Sequence, residues 1–208
     1  QREDYDEWAA LGNTGWSYDE VLPYFKKSEH NEEFNDEFHG QGGPLNVAAL
    51  RTDNPFQQIY VNAAKEAGFS INRDFNGATQ EGLGPYQVTQ INGERCSAAR
   101  GYLHPYMDKR ANLKVETGAM VLKILFEGKR AIGVRYQQNG QTHEIYCRRE
   151  VLLSAGALQS PQILMNSGIG DAAQLQQHGI EVIHHLAGVG QNLQDHPDFI
   201  FCYQADSM

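Results

Sequence analysis

Short runs of alternating apolar and polar residues fill the chain between residues 112 and 147. A two-residue period of this kind is typical of half-buried β-strands. Glu127-Gly128 and Asn139-Gly140 interrupt the alternation with residues that favour tight turns between antiparallel strands. We therefore predict an antiparallel meander. Its strands are expected at 113–117, 120–126, 131–137 and 142–147.

A different kind of apolar run follows the meander, Val151-Leu152-Leu153-Ser154-Ala155-Gly156. Apolar residues without alternation are typical of a strand that is buried on both faces of a parallel sheet. We predict that the segment 112–156 forms a meander leading into such a buried strand. Ser160 is then expected to cap a helix that ends before Gly168. A short helix at 172–178 and a strand at 180–185 complete this region.

Helix signals are frequent in the N-terminal half. Ser17 is placed to cap the second of two short helices on either side of residues 12–15. Asn54 and Gly68 mark the two ends of a longer helix, in which apolar residues recur at spacings of three and four. One face of that helix is therefore expected to pack inward. The other elements are strands at 45–47 and 86–91 and a short helix that carries Arg100, Tyr102 and Leu103.

These elements indicate a mixed α/β (α+β) fold with two folding regions. Residues 105–193 have the strand order of a nucleotide-binding fold, whereas residues 38–104 are mixed and rich in loops. A helical segment, 1–37, precedes both, and 194–208 is expected to begin a further strand. No internal repeat is visible.

The net charge of −9 is concentrated at the N-terminus, where residues 1–37 carry 11 acidic and 3 basic side chains, a balance of −8. A nucleic-acid surface would need a basic face, so no nucleic-acid partner is expected. No apolar run reaches the roughly 20 residues of a membrane-spanning helix, and no signal peptide is recognisable. We expect a cytoplasmic protein, with peripheral attachment to a membrane left open. The oligomeric state cannot be read from the sequence.

The three cysteines, Cys96, Cys147 and Cys202, are widely spaced and include no C-x-x-C pair. They predict unlinked thiols in a reducing compartment. His184 and His185 are neighbours on an expected strand and would point to opposite faces. The segment Asp74-Phe75-Asn76-Gly77 departs from the calcium-loop pattern in its glycine and its closing acid. No metal site is predicted.

Two glycine-rich strings are candidates for a phosphate loop. Gly168-Ile169-Gly170-Asp171-Ala172-Ala173 matches G-x-G-x-x-A, but it follows a helix, and Asp171 would repel phosphate. Gly188-Val189-Gly190 lacks the third glycine. Ser154 lacks the glycine that a hydrolase nucleophile turn needs two residues before the serine. Pattern alone therefore gives no catalytic centre.

Residues 156–170, GALQSPQILMNSGIG, resemble the second signature of the glucose–methanol–choline (GMC) oxidoreductases. The similarity extends over essentially the whole chain and is greatest to the choline dehydrogenase branch of the family. The further segments that carry it are Tyr5-Asp6-Glu7-Trp8, Gly15-Trp16-Ser17, Leu22-Pro23-Tyr24-Phe25, Asp74-Phe75-Asn76-Gly77, Arg95-Cys96-Ser97-Ala98-Ala99-Arg100 and residues 188–196.

The resemblance implies part of a Rossmann-like FAD-binding domain with an inserted meander in 105–193, and part of a substrate-binding domain in 38–104. The main chain of Val121 would meet the adenine of FAD. Ala155 and Gly156 are small and would let the cofactor come close. A tight turn between strand and helix would explain the small residues at these two positions equally well. The phosphate loop would precede Tyr5, and the catalytic histidine with its partner would follow Met208. No catalytic residue is therefore assigned in this chain.

The resemblance further implies oxidation of a primary alcohol, choline to betaine aldehyde in particular, with hydride passing to the flavin. The substrate partner would be a small alcohol. Two alternatives stay open, a GMC enzyme for another alcohol or a sugar, and a non-catalytic domain derived from the family. Because Gln1 is not a starting methionine and both functional segments lie outside, we expect a fragment that neither retains FAD nor is active by itself.

Overall fold

The computed structural model describes residues 1–202 and 204. The chain forms two compact units, Gln1–Val115 and Glu116–Met208. The first is mixed and loop-rich, and the second contains the meander. By expected role, the chain divides into four segments, 1–37, 38–104, 105–193 and 194–208. This division by role stays a prediction.

Unit 1 begins with two helices, α1 (Arg2–Ala10) and α2 (Tyr18–Ser28), as predicted. Ser17 is the N-cap of α2, and the carboxylate of Glu20 accepts hydrogen bonds from the main-chain N–H and the hydroxyl of Ser17. Ser17 and Glu20 thus form a capping box, which satisfies main-chain groups that a helix start otherwise leaves unpaired. The two helices are joined by the guanidinium of Arg2, which lies 2.9 Å from the carboxylate of Asp19.

The rest of unit 1 consists of short elements. Asn54 caps α3 as predicted, accepting a hydrogen bond from the N–H of Phe56. The strand expected at 86–91 is limited to two residues, followed by a turn in which Asn92 and Gly93 both have positive φ. The elements are β1 (Glu29–Asn31) parallel to β2 (Leu45–Val47), α3 (Pro55–Glu66), β3 (Gln90–Ile91) antiparallel to β4 (Glu94–Arg95), and a π-helical turn at Ala99–Leu103.

The expectation that one face of α3 packs inward is wrong for most of that face. Phe56, Ile59 and Tyr60 are 43%, 51% and 63% exposed, and Ala64 is the residue of this helix that is buried. A helical period identifies an apolar face, but it does not say which segment covers that face.

Unit 2 opens with the predicted meander, a three-stranded antiparallel sheet with the order β5-β6-β7. Two bulges interrupt the pairing of β5 with β6, one at Leu122 on β5 and one at Ile132 on β6. The strands are β5 (Met120–Glu127), β6 (Arg130–Gln138) and β7 (Gln141–Tyr146). The strand expected at 113–117 is not formed.

The buried strand expected at 151–156 is also not formed. Residues 151–154 have no strand partner among the described residues, and Leu152 is 81% exposed. A strand that is buried on both faces needs neighbouring strands and covering layers, and the described chain supplies none for this segment. The apolar run is therefore extended chain leading into a helix.

That helix, α4 (Gly156–Asn166), begins four residues before the predicted cap. Ala155 is the N-cap residue, and the hydroxyl of Ser160 accepts a hydrogen bond from the N–H of Ala155 at 3.0 Å. Pro161 therefore lies inside the helix. Beyond it, α5 (Ala172–Gln177) follows β8 (Ile169–Gly170), which pairs in parallel with β9 (His184–His185), a much shorter strand than expected.

Candidate functional site

Val121, the residue assigned to the adenine of FAD, lies near the start of β5 and pairs with Tyr136 of β6. The next residue, Leu122, is the extra residue of a bulge. A bulge takes one residue out of the regular hydrogen-bond ladder between two strands. Some main-chain N–H and C=O groups next to Val121 are therefore not paired with β6. The geometry is compatible with main-chain hydrogen bonds to a ligand at Val121.

Ala155 and Gly156 lie at the turn into α4. Gly156 has φ +89°, a conformation that favours glycine. A Cβ built on Gly156 meets no atom within 4 Å, so the space beside the turn is open. The turn alone accounts for the glycine, and the open side also leaves room for a cofactor. A role of these two residues in binding stays a prediction.

The elements that carry these residues pack on each other, because α4 lies against β5. Ser167, at the end of α4, accepts a hydrogen bond from the main-chain N–H of Ile124 and donates one to the carbonyl of Ile163. The structure thus brings the helix that begins at Gly156 into contact with the strand that contains Val121.

The string 168–173 has a structural role in the same unit. Gly168 has φ +84°, and a Cβ there would overlap the carbonyl oxygen of Glu181. Asp171 caps α5 by accepting a hydrogen bond from the N–H of Gln174. Glycine and aspartate at these positions are therefore explained by close packing and capping.

Unit 1 contains an open cavity of about 830 Å³. Acidic residues form part of its wall. The carboxylate of one of them, Glu29, accepts hydrogen bonds from the side chain of Asn31 and from the main-chain N–H of Gly40. Rings dominate the apolar part of the wall. They belong to Tyr5, Tyr18, Phe25, Phe38 and Phe75.

Beside this cavity, Asp36, His39 and Asp74 form a cluster in which one ligand atom of each lies within 4.8 Å of the others. The His39 side chain is 2% exposed. Its Nδ1 lies 2.8 Å from Oδ1 of Asp36, and its Nε2 lies 3.4 Å from Oδ1 of Asp74. Sequence reasoning missed this cluster, because Asp74 is 35 residues from His39 and no local spacing connects them.

The charge of Asp36 is stabilised within the cluster. Burial acts to raise the pKa of Asp36, but the hydrogen bonds from the His39 ring and from the main-chain N–H groups of Phe38 and His39 outweigh it. The pKa of Asp36 is therefore held below its ordinary value, and this carboxylate is ionised at neutral pH.

Residues 1–198 match the family model described as GMC oxidoreductase, so the chain belongs to the GMC oxidoreductase family. FAD is the cofactor of this family, and the fold is of its Rossmann-like FAD-binding type. The predicted family, fold class and cofactor are confirmed.

Curated relatives of this family include choline dehydrogenases. The chain is 47% identical over 203 residues to mitochondrial choline dehydrogenase of Homo sapiens, covering 98% of this chain and 34% of that protein. It is 48% identical over 193 residues to oxygen-dependent choline dehydrogenase of Brucella anthropi, covering 93% and 35%. Against alcohol dehydrogenase [acceptor] of Pseudomonas putida, it is 45% identical over 208 residues, covering 99% and 38%. The chain spans about a third of the length of these relatives.

Solved structures give the same family. An FAD-dependent oxidoreductase from Chaetomium thermophilum superimposes with a TM-score of 0.87 at 35% identity, over 94% of this chain and 36% of that one. A fungal aryl-alcohol oxidase gives a TM-score of 0.81 at 26% identity, over 94% and 36%.

Proposed function

We propose that this chain is part of an FAD-dependent enzyme that oxidises a primary alcohol, with choline to betaine aldehyde as the particular reaction. The observation that carries the proposal is 47% identity to human choline dehydrogenase over 98% of the chain. Because the chain corresponds to 34% of that relative, the activity is assigned to the whole protein. Bound FAD would supply the hydride acceptor.

Within this chain, the main chain at Val121 would hold the adenine, and Ala155-Gly156 would let the cofactor approach the start of α4. The bulge next to Val121 and the open space beside Gly156 support these assignments. A larger side chain at residue 156 would fill that space and strain the turn. In the whole protein, Gly156→Val should therefore weaken FAD retention, measured as the flavin-to-protein absorbance ratio after gel filtration. Gly188→Val is the control, because Gly188 also has open space but no assigned contact.

Choline is tested against other alcohols on the whole protein. We expect kcat/KM for choline to exceed that for benzyl alcohol and glucose in a dye-reduction assay. A preference for benzyl alcohol would favour the second candidate, an oxidoreductase for another alcohol, which is supported by 45% identity to the Pseudomonas putida alcohol dehydrogenase. A whole protein that binds no flavin would instead be a non-catalytic derivative of the family.

The 208-residue chain by itself is proposed to retain no FAD and to oxidise no alcohol. Pyrophosphate binding needs a glycine loop at a helix start, and the string at 168–173 is used for packing and for capping α5. The test is the visible spectrum of the chain after incubation with FAD and gel filtration, with choline-dependent dye reduction on the same sample. Flavin retained near one equivalent, or any turnover, would contradict this proposal.

A cytoplasmic location, with peripheral membrane attachment as the alternative, is also proposed for the whole protein. No helix among residues 1–202 is both long and apolar enough to cross a membrane. Fractionation of cells that express the whole protein, with and without a high-salt wash of the membranes, separates the two locations.

A further inference from the structure

The buried ring of His39 has an unusual neighbour at each nitrogen. Oδ1 of Asp36 lies 2.8 Å from Nδ1, and this oxygen also accepts the main-chain N–H groups of Phe38 and His39. On the opposite side, Nε2 is inaccessible to solvent and makes no hydrogen bond. It faces the carboxylate of Asp74, with 3.4 Å between Nε2 and Oδ1.

This arrangement needs a cation at Nε2. A neutral imidazole carries one proton, and the carboxylate of Asp36 places that proton on Nδ1, because a carboxylate can only accept. Nε2 then presents a lone pair to the negatively charged Asp74. Two electron-rich atoms in a buried position repel each other unless a positive charge lies between them.

The separation of the two atoms distinguishes the cations that could lie there. A proton shared between a charged nitrogen and a carboxylate holds them roughly 2.7–2.9 Å apart. Two ligands that each lie about 2.1 Å from a tetrahedral zinc ion are about 3.4 Å from each other. The observed 3.4 Å between Nε2 of His39 and Oδ1 of Asp74 agrees with the second geometry.

We propose that Nε2 of His39 and the carboxylate of Asp74 bind a divalent transition metal ion, with zinc as the best fit to the nitrogen and oxygen donors. Asp36 is the positioning residue, because a carboxylate that accepts the other ring N–H fixes the orientation of the ring and increases its basicity. Water completes the coordination, and Asp74, 18% exposed, lies on the solvent side of the site.

Both ligands are held in place by their surroundings. The ring of Phe34 packs on His39 with 5.2 Å between ring centroids. Gly77 leaves room for the other ligand, since a Cβ there would overlap Oδ2 of Asp74. Oδ1 of Asp74 also accepts the N–H of Asn76. The site is thus preformed by the loop around His39 and the turn that begins at Asp74.

The metal would join two segments that contribute to the wall of the same cavity. Phe38 and His39 line it from one segment, and Asn76 and Gly77 line it from the other. A metal bond between these segments would fix one part of the wall. The role is structural and independent of flavin chemistry.

The experiment uses the purified 208-residue chain, freed of metal with a chelator and titrated with Zn²⁺ at pH 7 in a calorimeter. Three variants are compared. Asp74→Asn removes a charged ligand at nearly constant shape, Asp36→Asn removes the positioning carboxylate, and Asp53→Asn is the control at an exposed acid. Far-UV circular dichroism establishes that each variant is folded.

We expect one zinc equivalent in the chain and in Asp53→Asn. The affinity should fall roughly 10- to 100-fold in Asp36→Asn, and further in Asp74→Asn. Co²⁺ should give intense visible bands of tetrahedral coordination that disappear in Asp74→Asn. Zinc binding that is unchanged by both substitutions would place the metal elsewhere, for instance at exposed histidines, and would overturn the proposal. If the chain binds no zinc and NMR shows a proton on both ring nitrogens of His39, the proposal is overturned. A proton shared between Nε2 of His39 and the carboxylate of Asp74 would then explain the cluster.

Discussion

The hydroxyl oxygen of Ser167 lies 2.8 Å from the main-chain nitrogen of Ile124, and this hydrogen bond joins the end of α4 to the middle of β5. Both residues are buried. Ser167→Ala would remove the hydroxyl and leave the buried main-chain N–H of Ile124 without this acceptor. The free energy of unfolding should fall by about 1–3 kcal/mol. Amide hydrogen exchange should show faster exchange at Ile124 and along β5.

Ser154→Ala is the control for this change, because Ser154 is exposed and its hydroxyl is not placed between two elements. Its effect should stay within roughly 0.5 kcal/mol. Equal exchange rates for the two variants at Ile124 would show that the hydroxyl does not hold α4 on the sheet.

A methyl group at residue 133 should disturb the meander. Gly133 lies in β6, where a Cβ would overlap the carbonyl oxygen of Ile145 on β7. Gly133→Ala should therefore force the two strands apart and destabilise unit 2 by roughly 1–3 kcal/mol. Thermal unfolding followed by circular dichroism measures the change. Gly188→Ala adds the same methyl group in open space, and a comparable loss in that variant would contradict the steric explanation.

Glu144 should make part of the stability of unit 2 dependent on pH. The hydroxyl of Tyr146 donates to its carboxylate, and Arg135 donates two further hydrogen bonds. The Tyr146 hydroxyl first, and then Arg135, hold the pKa of Glu144 below its ordinary value. A carboxylate with a lowered folded-state pKa stabilises the fold above its unfolded-state pKa, and the contribution is lost as the pH falls through the folded-state value.

Glu144→Gln should accordingly lower the urea midpoint at pH 7, and the difference from the unsubstituted chain should close in acid. The effect is small because the ion pair is exposed to solvent. Glu150→Gln, at an exposed acid, should leave the midpoint unchanged at both pH values. A Glu144→Gln difference that persists unchanged at pH 2 would show that the charge is not its source.

Ser17 should be required for the start of α2. Ser17→Ala removes the hydroxyl of the capping box, which typically costs about 1 kcal/mol. Trp8 and Trp16, the two tryptophans of the chain, lie next to this helix with 5.8 Å between ring centroids. Urea unfolding followed by their fluorescence therefore reports on unit 1 directly. Ser28→Ala, at the opposite end of α2, is the comparison, and an equal loss there would argue against a specific capping role.

The sequence predicted elements whose signals are local. The turns at Glu127-Gly128 and Asn139-Gly140 and the alternation around them predicted the meander, and the helix starts predicted at Ser17 and Asn54 are confirmed. These signals depend on steric preferences and hydrogen bonds within a few residues, so they do not require knowledge of the rest of the fold.

Two of the errors concern elements whose environment is not local, whereas the cap expected at Ser160 and the strand expected at 113–117 failed although their signals are local. The run from Val151 was expected to be buried on both faces, and the apolar stripe of α3 was expected to face a core. Hydrophobicity shows that a segment can be covered, whereas the covering partner is a tertiary property. The cluster around His39 was missed for the same reason, since Asp74 reaches it only through the fold.

The two bulges of the meander have opposite effects on strand alignment. The extra Leu122 on β5 shifts the pairing by one residue, and the extra Ile132 on β6 shifts it back before the turn. Residues at the two ends of the hairpin therefore keep the alignment of an uninterrupted ladder, while the middle is displaced. Leu122 has no partner on β6, so its deletion would leave the pairs on either side, Val121 with Tyr136 and Lys123 with Arg135, in place. Because neighbouring positions on a strand point to opposite faces, Val121 would keep its side of the sheet. The extra residue of a bulge can thus be lost from this hairpin without exchanging which side chains face the two sides of the sheet.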